Sequence, residues 1–395
     1  MSSGKLEEGT LIGNRFRVVG LVGTGSFGSV YEATDDQNPA HPRVALKVLH
    51  ARFANDKSIR ARFEREAKAL LLLESPRICP LLDWGSTSVG PSQTPIMYLA
   101  LPFVEGTTLG KLLETASPME EERAIRIAIG ICEGVAAAHA AGILHRDLNP
   151  DNVLVGASDA VHVLDFGLAK IVFEQPSSAV SEVTASGMIF GTPEYMAPEQ
   201  ARGDELDGRT DVYAAGALLY RMTTGEPPFH AATLLGTLQA VLVEPLVPPR
   251  ERNGRISVAL EAAILHALST YPESRYASAS ALAQALEHVL HDPTDPKKVA
   301  PDLFSNALTQ VDAIAKTMPQ MPALSSKPVP GPVISERIDV TPAPSKSTPR
   351  GREAVRREGV RAAKAASESK ASRDMWLWIV LGIAAMAVGS YLALR

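Results

Sequence analysis

A glycine motif set between strand-like segments is the feature that most restricts how this chain folds. Residues 23–30 read GTGSFGSV, with the glycines in the spacing G-x-G-x-x-G. Dinucleotide-binding folds use the same spacing, but in them the third glycine opens a helix. Here residues 16–19, 29–33 and 44–49 all carry the β-branched or alternating residues of strands. The pattern argues against a dinucleotide fold and predicts a glycine turn whose N–H groups can approach phosphate oxygens.

Lys47 is the one charged residue in the strand-like segment VALKVL, residues 44–49. On the strand after the glycine turn, it would supply a point positive charge for phosphates. Such a lysine needs a carboxylate to hold it extended, and residues 59–73 predict a helix that carries Glu64 and Glu66. Taken alone, the segment is more typical of a surface lysine after a turn than of a phosphate-binding lysine. Its interpretation therefore depends on the motifs further along the chain.

The next motif, HRDLNPDN at residues 145–152, places the carboxylate of Asp147 five residues before the carboxamide of Asn152. Asp165 follows thirteen residues later in the tripeptide DFG. Phosphoryl transfer uses one such group to accept the proton of the attacking hydroxyl and others to hold Mg²⁺ on the phosphates. Taken singly, each residue is a typical turn former or helix cap. Their order and spacing together favour the catalytic interpretation.

The series continues with GTPEYMAPE at residues 191–199, followed by Asp211 and Arg275. With the earlier motifs, these segments resemble the eukaryotic-like (Hanks-type) bacterial serine/threonine protein kinases that are anchored in the membrane. The resemblance implies an α+β, two-lobed protein kinase fold. A small β-rich N-lobe would span residues 12–104, and a large helical C-lobe would span residues 105–291.

The resemblance also implies an ATP site between the lobes, with Mg²⁺, or Mn²⁺ as an alternative, on the phosphates. The implied catalytic residues are Asp147 as base, Lys47, its carboxylate partner Glu66, and Asn149. The implied metal ligands are Asn152 and Asp165. The residues implied to contact the nucleotide are Gly23, Gly25, Ser26, Phe27, Gly28, Val30, Ala45, Lys47, Pro102, Val104 and Leu154. Pro102 and Val104 belong to a hinge over residues 101–106, where Pro102 lacks an N–H but keeps an accepting carbonyl.

Three further positions have implied roles by the same resemblance. Asp211 would brace the catalytic loop, and Arg275 would form an ion pair with Glu199. Thr192 would contact the catalytic carboxylate, which argues for acceptor hydroxyls of Ser and Thr rather than Tyr.

Arg146, directly before the catalytic carboxylate, indicates regulation, because an arginine there can pair with a phosphorylated residue of the activation segment. The hydroxyl residues considered between Asp165 and Glu199 are Ser177, Ser178, Ser181, Thr184 and Ser186. Among these, Thr184 and Ser186 are the favoured phosphorylation sites.

The C-terminal quarter differs in composition from the rest of the chain. Eleven prolines lie between residues 292 and 350, and eight Lys or Arg against four Asp or Glu lie in residues 350–374. We interpret residues 292–374 as a disordered, Pro-rich and then basic juxtamembrane linker. Residues 375–394 carry no charge over twenty positions, which predicts a single transmembrane helix. The basic flank predicts that the kinase domain is cytoplasmic, at the inner (plasma) membrane.

The bulk composition restricts the partners. A net charge of −5 and an aromatic content of 5% give no basis for nucleic-acid binding. Cys79 and Cys132, the two cysteines, predict buried, reduced thiols and no metal site. The expected partners are protein substrates, the membrane, and a second copy of the chain through the kinase domain or the transmembrane helix.

Two other functions fit part of the pattern. The first is a weak or inactive pseudokinase that acts as an ATP-binding signalling scaffold. The second is a small-molecule kinase of the aminoglycoside phosphotransferase type, which shares the Asp-to-Asn spacing but lacks a segment that ends like residues 197–199. The presence of Lys47, Asp147 and Asp165 together favours an active protein kinase.

Asn149 generates a prediction about rate, because the family has a lysine at this position. A carboxamide can donate a hydrogen bond but brings no charge to the moving phosphoryl group. Removing a preorganised electrostatic group from such sites costs ~2.7–4 kcal/mol, roughly a hundred- to thousandfold in rate. We therefore expect Asn149→Lys to raise kcat in a steady-state phosphorylation assay, and an unchanged or lower kcat would contradict the idea.

Overall fold

An antiparallel sheet is built from the N-terminal part of the chain. The computed structural model describes residues 6–25, 28–90, 93–166 and 192–300. The strands of this sheet are β1 (Leu11–Ile12), β2 (Phe16–Thr24), β3 (Gly28–Asp35), β4 (Arg43–Leu49), β5 (Asp83–Val89) and β6 (Thr94–Pro102). Their spatial order is β1-β2-β3-β4-β6-β5, and every neighbouring pair is antiparallel. The three predicted strands are β2, β3 and β4, each longer than predicted.

The two faces of this sheet have different environments because side chains alternate along each strand. One face forms an apolar core made of Ile12, Phe16, Val18, Tyr31, Ala33, Val44, Leu46, Val48, Ile96, Tyr98 and Ala100. The opposite face carries Val30, Ala45 and Lys47, since Val30 pairs with Lys47 in the ladder. The predicted nucleotide-contacting residues of the sheet therefore share one face.

Two helices, α1 (Ala51–Ala54) and α2 (Lys57–Leu70), connect β4 to β5. The side chain of Asp56 caps α2, accepting from the N–H groups of Ser58 and Ile59 at 2.8 and 3.2 Å. The helix therefore begins two residues before the predicted start at residue 59. It ends at Leu70, three residues before the predicted end. Phe63 and other apolar residues of α2 pack on the sheet, beside Met97 and Leu99.

Helices dominate the rest of the described chain, as expected. The elements are β7 (Thr107–Thr108), α3 (Leu109–Thr115), α4 (Glu121–Ala140), β8 (Val153–Val155), β9 (Val161–Val163), α5 (Pro198–Arg202), α6 (Gly208–Thr224), α7 (Leu234–Val243), α8 (Pro249–Arg252), α9 (Val258–Ala267), α10 (Ala279–His291) and α11 (Pro296–Val299). Strands β7, β8 and β9 form a small antiparallel sheet.

Helix α4 lies inside this helical part. Its fully buried residues lie on more than one side of the helix, for example Ile127, Ile131 and Cys132. The reason is that α4 contacts α6, α10 and β9 at once. A Cβ atom on Gly130 would lie 2.9 Å from Val161 Cβ, so the close approach of α4 to β9 requires a glycine.

A buried ion pair joins α5 to the loop before α10, as the sequence predicted. The guanidinium of Arg275 donates from Nη1 to Glu199 Oε1 and from Nη2 to Glu199 Oε2, both at 2.7 Å. Glu199 also accepts from Thr210 Oγ1 of α6. Both charges are almost fully excluded from water. Because such a pair is costly to break on one side, it fixes the segment that leads into α5.

Several predictions concern parts of the chain outside the described residues. They are Ser26 and Phe27 of the glycine turn, the phosphorylation candidates Thr184 and Ser186, the linker beyond Ala300, and the transmembrane span at residues 375–394. Residues 296–299 of the predicted disordered linker form α11 instead, with Val299 in the helical core. Across the helices of residues 6–300 that the structure describes, none combines the length and the apolar character that a bilayer crossing needs.

Candidate active site

The glycine turn joins β2 directly to β3, with no helix after it. The Gly25 N–H donates to Gly28 O at 2.8 Å and closes the turn. A Cβ atom on Gly28 would lie 2.1 Å from Val48 O, so β3 could not pack on β4 with any other residue there. Around Gly23 and Gly25 a Cβ atom would meet nothing within 4 Å. Packing among the described residues does not explain these two glycines, and their contact with nucleotide phosphates stays a prediction.

The hinge, residues 101–106, runs from the end of β6 to β7. Its Pro102 carbonyl, the predicted acceptor for the adenine amino group, also accepts from Cys79 Sγ at 3.9 Å. Burial raises the pKa of Cys79 to about 12, so this residue stays a neutral thiol donor. A Cβ atom on Gly106 would lie 3.1 Å from Leu154 Cγ. Leu154, a predicted adenine contact, therefore lies beside the hinge.

Lys47 forms its ion pair with Asp165, at 2.5 Å from Nζ to Oδ2. Both side chains are largely shielded, with 10% and 23% of their surface exposed. The sequence predicted Glu66 as the partner of Lys47, and the structure corrects this pairing. Glu66 is 5% exposed and accepts from Arg65 Nε at 3.2 Å. The role of Glu66 as a catalytic residue stays a prediction.

In residues 145–152, the predicted catalytic loop, the contacts of Asn149 show its role. Its Nδ2 donates to Asp147 Oδ1 and to Asp147 O, both at 3.1 Å. Its Oδ1 accepts from the Asp151 N–H at 3.0 Å and caps the 3₁₀ turn Pro150–Asn152. Asn149 is 6% exposed. One carboxamide thus orients the predicted base and fixes the turn that carries the predicted metal ligand.

The Asp147 carbonyl, which accepts from Asn149, also holds Asn152. Asn152 Nδ2 donates to Asp147 O at 2.7 Å, which leaves Oδ1 as the atom that can bind a cation. In the described residues, no group of three or more His, Cys, Asp or Glu side chains could hold a metal. Asn152 and Asp165 supply hard oxygen atoms, and this set fits a Mg²⁺ ion that nucleotide phosphates and water also bind.

The protonation state of Asp147 is set by its surroundings. Burial raises the pKa of its carboxyl above the ordinary value, while the hydrogen bond from Asn149 and the charge of Lys47 oppose this rise. Next to it, His145 Nδ1 accepts from the Asp147 N–H at 3.3 Å and Nε2 lies 2.8 Å from Leu164 O. Because a carbonyl oxygen can only accept, Nε2 is the ring nitrogen that donates to Leu164 O.

A buried carboxylate on α6, Asp211, braces the loop as predicted. Its Oδ2 accepts from the His145 N–H at 2.8 Å, and its Oδ1 accepts from the Arg146 N–H at 2.9 Å. His139, at the end of α4, lies 2.7 Å from Oδ2 through its Nε2. Burial acts to raise the pKa of Asp211, but these hydrogen bonds and His139 hold it below the ordinary value. His139 was not predicted, since a lone histidine at a helix end has no motif of its own.

Two residues of the site have left-handed backbones. Arg146 has φ +66° and Asp165 has φ +62°, a conformation that costs non-glycine residues free energy and occurs at functional sites. Gln200 Nε2 donates to Arg146 O at 2.8 Å and supports this conformation from α5. Thr192, predicted to contact Asp147, is exposed, and its side chain makes no cap at the turn that follows.

Curated relatives of this chain carry names of serine/threonine-protein kinases. PknB of Mycobacterium leprae is 36% identical over 317 residues, which cover 80% of this chain and 49% of that protein. Pkn3 of Myxococcus xanthus is 39% identical over 287 residues, which cover 71% of this chain and 51% of that protein. The chain therefore spans about half the length of these relatives.

A solved structure of a kinase domain has a similar fold. The crystal structure of the Mycobacterium tuberculosis PknI kinase domain superposes with a TM-score of 0.56, at 24% identity, and covers 72% of this chain and 99% of that one. This likeness concerns the fold alone. The family described as "Protein kinase domain" matches residues 16–289, well over half of the sequence. The chain belongs to the protein kinase domain family.

Proposed function

We propose that the chain is an ATP-dependent serine/threonine protein kinase that uses Mg²⁺ and phosphorylates Ser and Thr hydroxyls of proteins. The observation that carries the proposal is the geometry of residues 145–152. There Asn149 aims the Asp147 carboxylate, and Asn152 bonds to the carbonyl of the same residue. The Lys47–Asp165 pair and the names of the relatives support the same function.

In this mechanism Asp147 orients the acceptor hydroxyl and takes its proton. Asn149 keeps Oδ1 of Asp147 in place, so the other carboxylate oxygen is the one available to the hydroxyl. Lys47 lies beside Asp165, where its charge can meet phosphate oxygens. Asn152 Oδ1 and the Asp165 carboxylate would hold the metal. When bound, Mg-ATP supplies the phosphoryl group and the cation that neutralises its charge.

The first test separates an active kinase from a pseudokinase scaffold. We expect Asp147→Asn to lower the phosphorylation rate by about 10²–10⁴-fold, the range typical of a lost general base. Lys47→Met should lower it by about 10²–10³-fold, the range typical of a lost electrostatic group. The matched control is Asp159→Asn, which changes a carboxylate in a surface ion pair with Arg123 and should keep the wild-type rate. Rates come from radiolabelled transfer to the chain itself and to a generic protein acceptor.

Mass spectrometry of the wild-type product should then place phosphate within residues 177–192, with Thr184 and Ser186 as the expected positions. Wild-type protein that binds ATP but transfers no phosphate would support the scaffold instead. Phosphate found only outside that segment would contradict autophosphorylation of the activation segment.

The second test uses the pH dependence of the base. Asp147 must be ionised to accept a proton, and the hydrogen bond from Asn149 opposes the rise of its pKa. Removing this bond with Asn149→Ala should raise the pKa of Asp147 further. The ionised fraction at a given acidic pH then falls, and the acid limb of the kcat/KM profile moves to higher pH. An acid limb at the same pH in both proteins would contradict this role of Asn149.

We also propose that residues 375–394 anchor the kinase in the inner (plasma) membrane, with the catalytic domain in the cytoplasm. Twenty uncharged residues are enough for one span, and the basic flank favours the cytoplasmic side. Tethering would favour membrane-proximal substrates in signalling. It would also favour phosphorylation between two copies, although a homodimer through the kinase domain or the membrane helix stays a prediction.

Cell fractionation tests the anchor. The full chain should sediment with membranes and resist alkaline extraction, as an integral protein does. A variant that ends at Asp374 keeps the basic flank but should appear in the soluble fraction. If both proteins extract with alkali, the segment is not a membrane span, and residues 350–374 would be the remaining basis for any membrane contact.

A further inference from the structure

Arg43, the first residue of β4, contacts the hinge in three ways. Its carbonyl accepts from the Phe103 N–H at 3.2 Å. Its guanidinium lies over the Phe103 ring, with Cζ 4.5 Å from the ring centroid. Its Nη1 donates to Glu105 Oε1 at 3.2 Å, while Nε donates to Glu32 Oε1 on β3 at 2.9 Å. One side chain thus ties two strands of the sheet to two hinge residues.

The strand register places this cluster at the edge of the proposed nucleotide site. Arg43 precedes Ala45 by two positions, so both side chains lie on the same face of β4. Glu32 pairs with Ala45 in the ladder and lies on that face as well. Since Ala45 is a proposed adenine contact, the Arg43 guanidinium is at the outer rim of the adenine end of the cleft.

The hinge residues that Arg43 holds are the neighbours of those proposed to bind adenine. Phe103 lies between Pro102, whose carbonyl would accept from the amino group, and Val104, whose N–H would donate. Glu105 follows Val104. The Phe103 N–H and the Pro102 carbonyl belong to one planar peptide group, so the bond from this N–H to Arg43 O sets the direction of that carbonyl. The contacts with the side chains of Phe103 and Glu105, one on each side of Val104, restrict the movement of the Val104 N–H.

We propose that Arg43 is a positioning residue that clamps the hinge and preorganises it for the adenine base. The proposal rests on the proposed function, because it assumes that the hinge binds ATP. It assigns Arg43, with Phe103 and Glu105, to nucleotide affinity and not to the transfer step. Preorganisation raises affinity by removing an ordering cost that the free protein would otherwise have at binding.

The size of the effect is limited by solvent. The side chains of Arg43 and Glu105 are 50% and 84% exposed, and ion pairs and cation–π contacts at such sites are weak. For Arg43→Ala we expect a KM for ATP and a dissociation constant for nucleotide that rise about three- to fivefold. The kcat should be unchanged, because none of the contacts that Arg43 makes with described residues involves Asp147 or Asp165.

The experiment measures nucleotide affinity directly, with a fluorescent ATP analogue titrated into the full chain, alongside KM, kcat and the melting temperature of the free protein. Arg43→Lys keeps the charge but loses the planar fork and the stacked ring contact, so it should weaken binding nearly as much as alanine. Arg123→Ala is the matched control, because it removes a bidentate surface ion pair, with Asp159, in which no hinge residue takes part. It should leave affinity unchanged.

A double-mutant cycle tests whether the clamp acts as a unit. Phe103→Leu keeps an apolar side chain but removes the ring under the guanidinium. If the clamp acts as a unit, the double variant Arg43→Ala/Phe103→Leu should bind nucleotide no more weakly than whichever single variant binds it more weakly. If the losses of affinity in the two single variants multiply in the double variant, the two residues act independently and the proposal is overturned. Wild-type nucleotide affinity in Arg43→Ala would overturn it too. So would a loss of affinity in both Arg43→Ala and Arg123→Ala that goes with a lower melting temperature in both, because the loss would then come from general destabilisation. Wild-type protein that does not bind the analogue would instead overturn the proposed function.

Discussion

A single buried carboxylate holds the catalytic loop in the conformation on which the site depends. Asp211 accepts from two consecutive backbone N–H groups, those of His145 and Arg146, and lies against His139. Because Asp211 is buried on α6, it ties the start of the loop to the helical part, while Asn149 fixes the turn inside the loop. Asp211 and Gln200 both support the left-handed backbone of Arg146, a conformation that costs a non-glycine residue free energy.

At position 149, the hydrogen bonds that order the loop can be distinguished from the positive charge that a lysine would bring. The structure gives Asn149 three hydrogen bonds, two to Asp147 and one from the Asp151 N–H. A lysine at this position would bring positive charge but would lose the acceptor that caps the turn Pro150–Asn152. Asn149→Lys therefore combines an electrostatic gain with a local loss of order. Thermal stability measured beside kcat distinguishes the two contributions.

Much of the fold was predictable from sequence because each motif reflects a local requirement of the backbone. The strands around the glycine turn alternate in polarity, which is a local signal. The Asp56 cap, which places the start of α2 two residues before the predicted one, was missed. The Glu199–Arg275 pair and the brace from Asp211 followed from resemblance, and the structure confirms both. The Lys47 pairing was wrong, since two carboxylates compete for one ammonium and only their positions in space decide between them. His139, Gln200 and Arg43 act through contacts between distant parts of the chain, and no local pattern marks such contacts.

The glycine turn contains two kinds of glycine, and this affects how inactive variants should be interpreted. Gly28 belongs to the sheet, because any side chain there would collide with the Val48 carbonyl. Gly23 and Gly25 have open space around them, so a side chain there would meet a ligand before it met the protein. Substitutions at all three positions can give the same silent enzyme. At Gly28 the expected cause is a sheet that does not assemble, whereas at the other two, under the proposed function, it is an intact domain that no longer binds its nucleotide. A survey of variants scored by activity alone would merge a folding defect with a binding defect, and cellular abundance is the measurement that separates them.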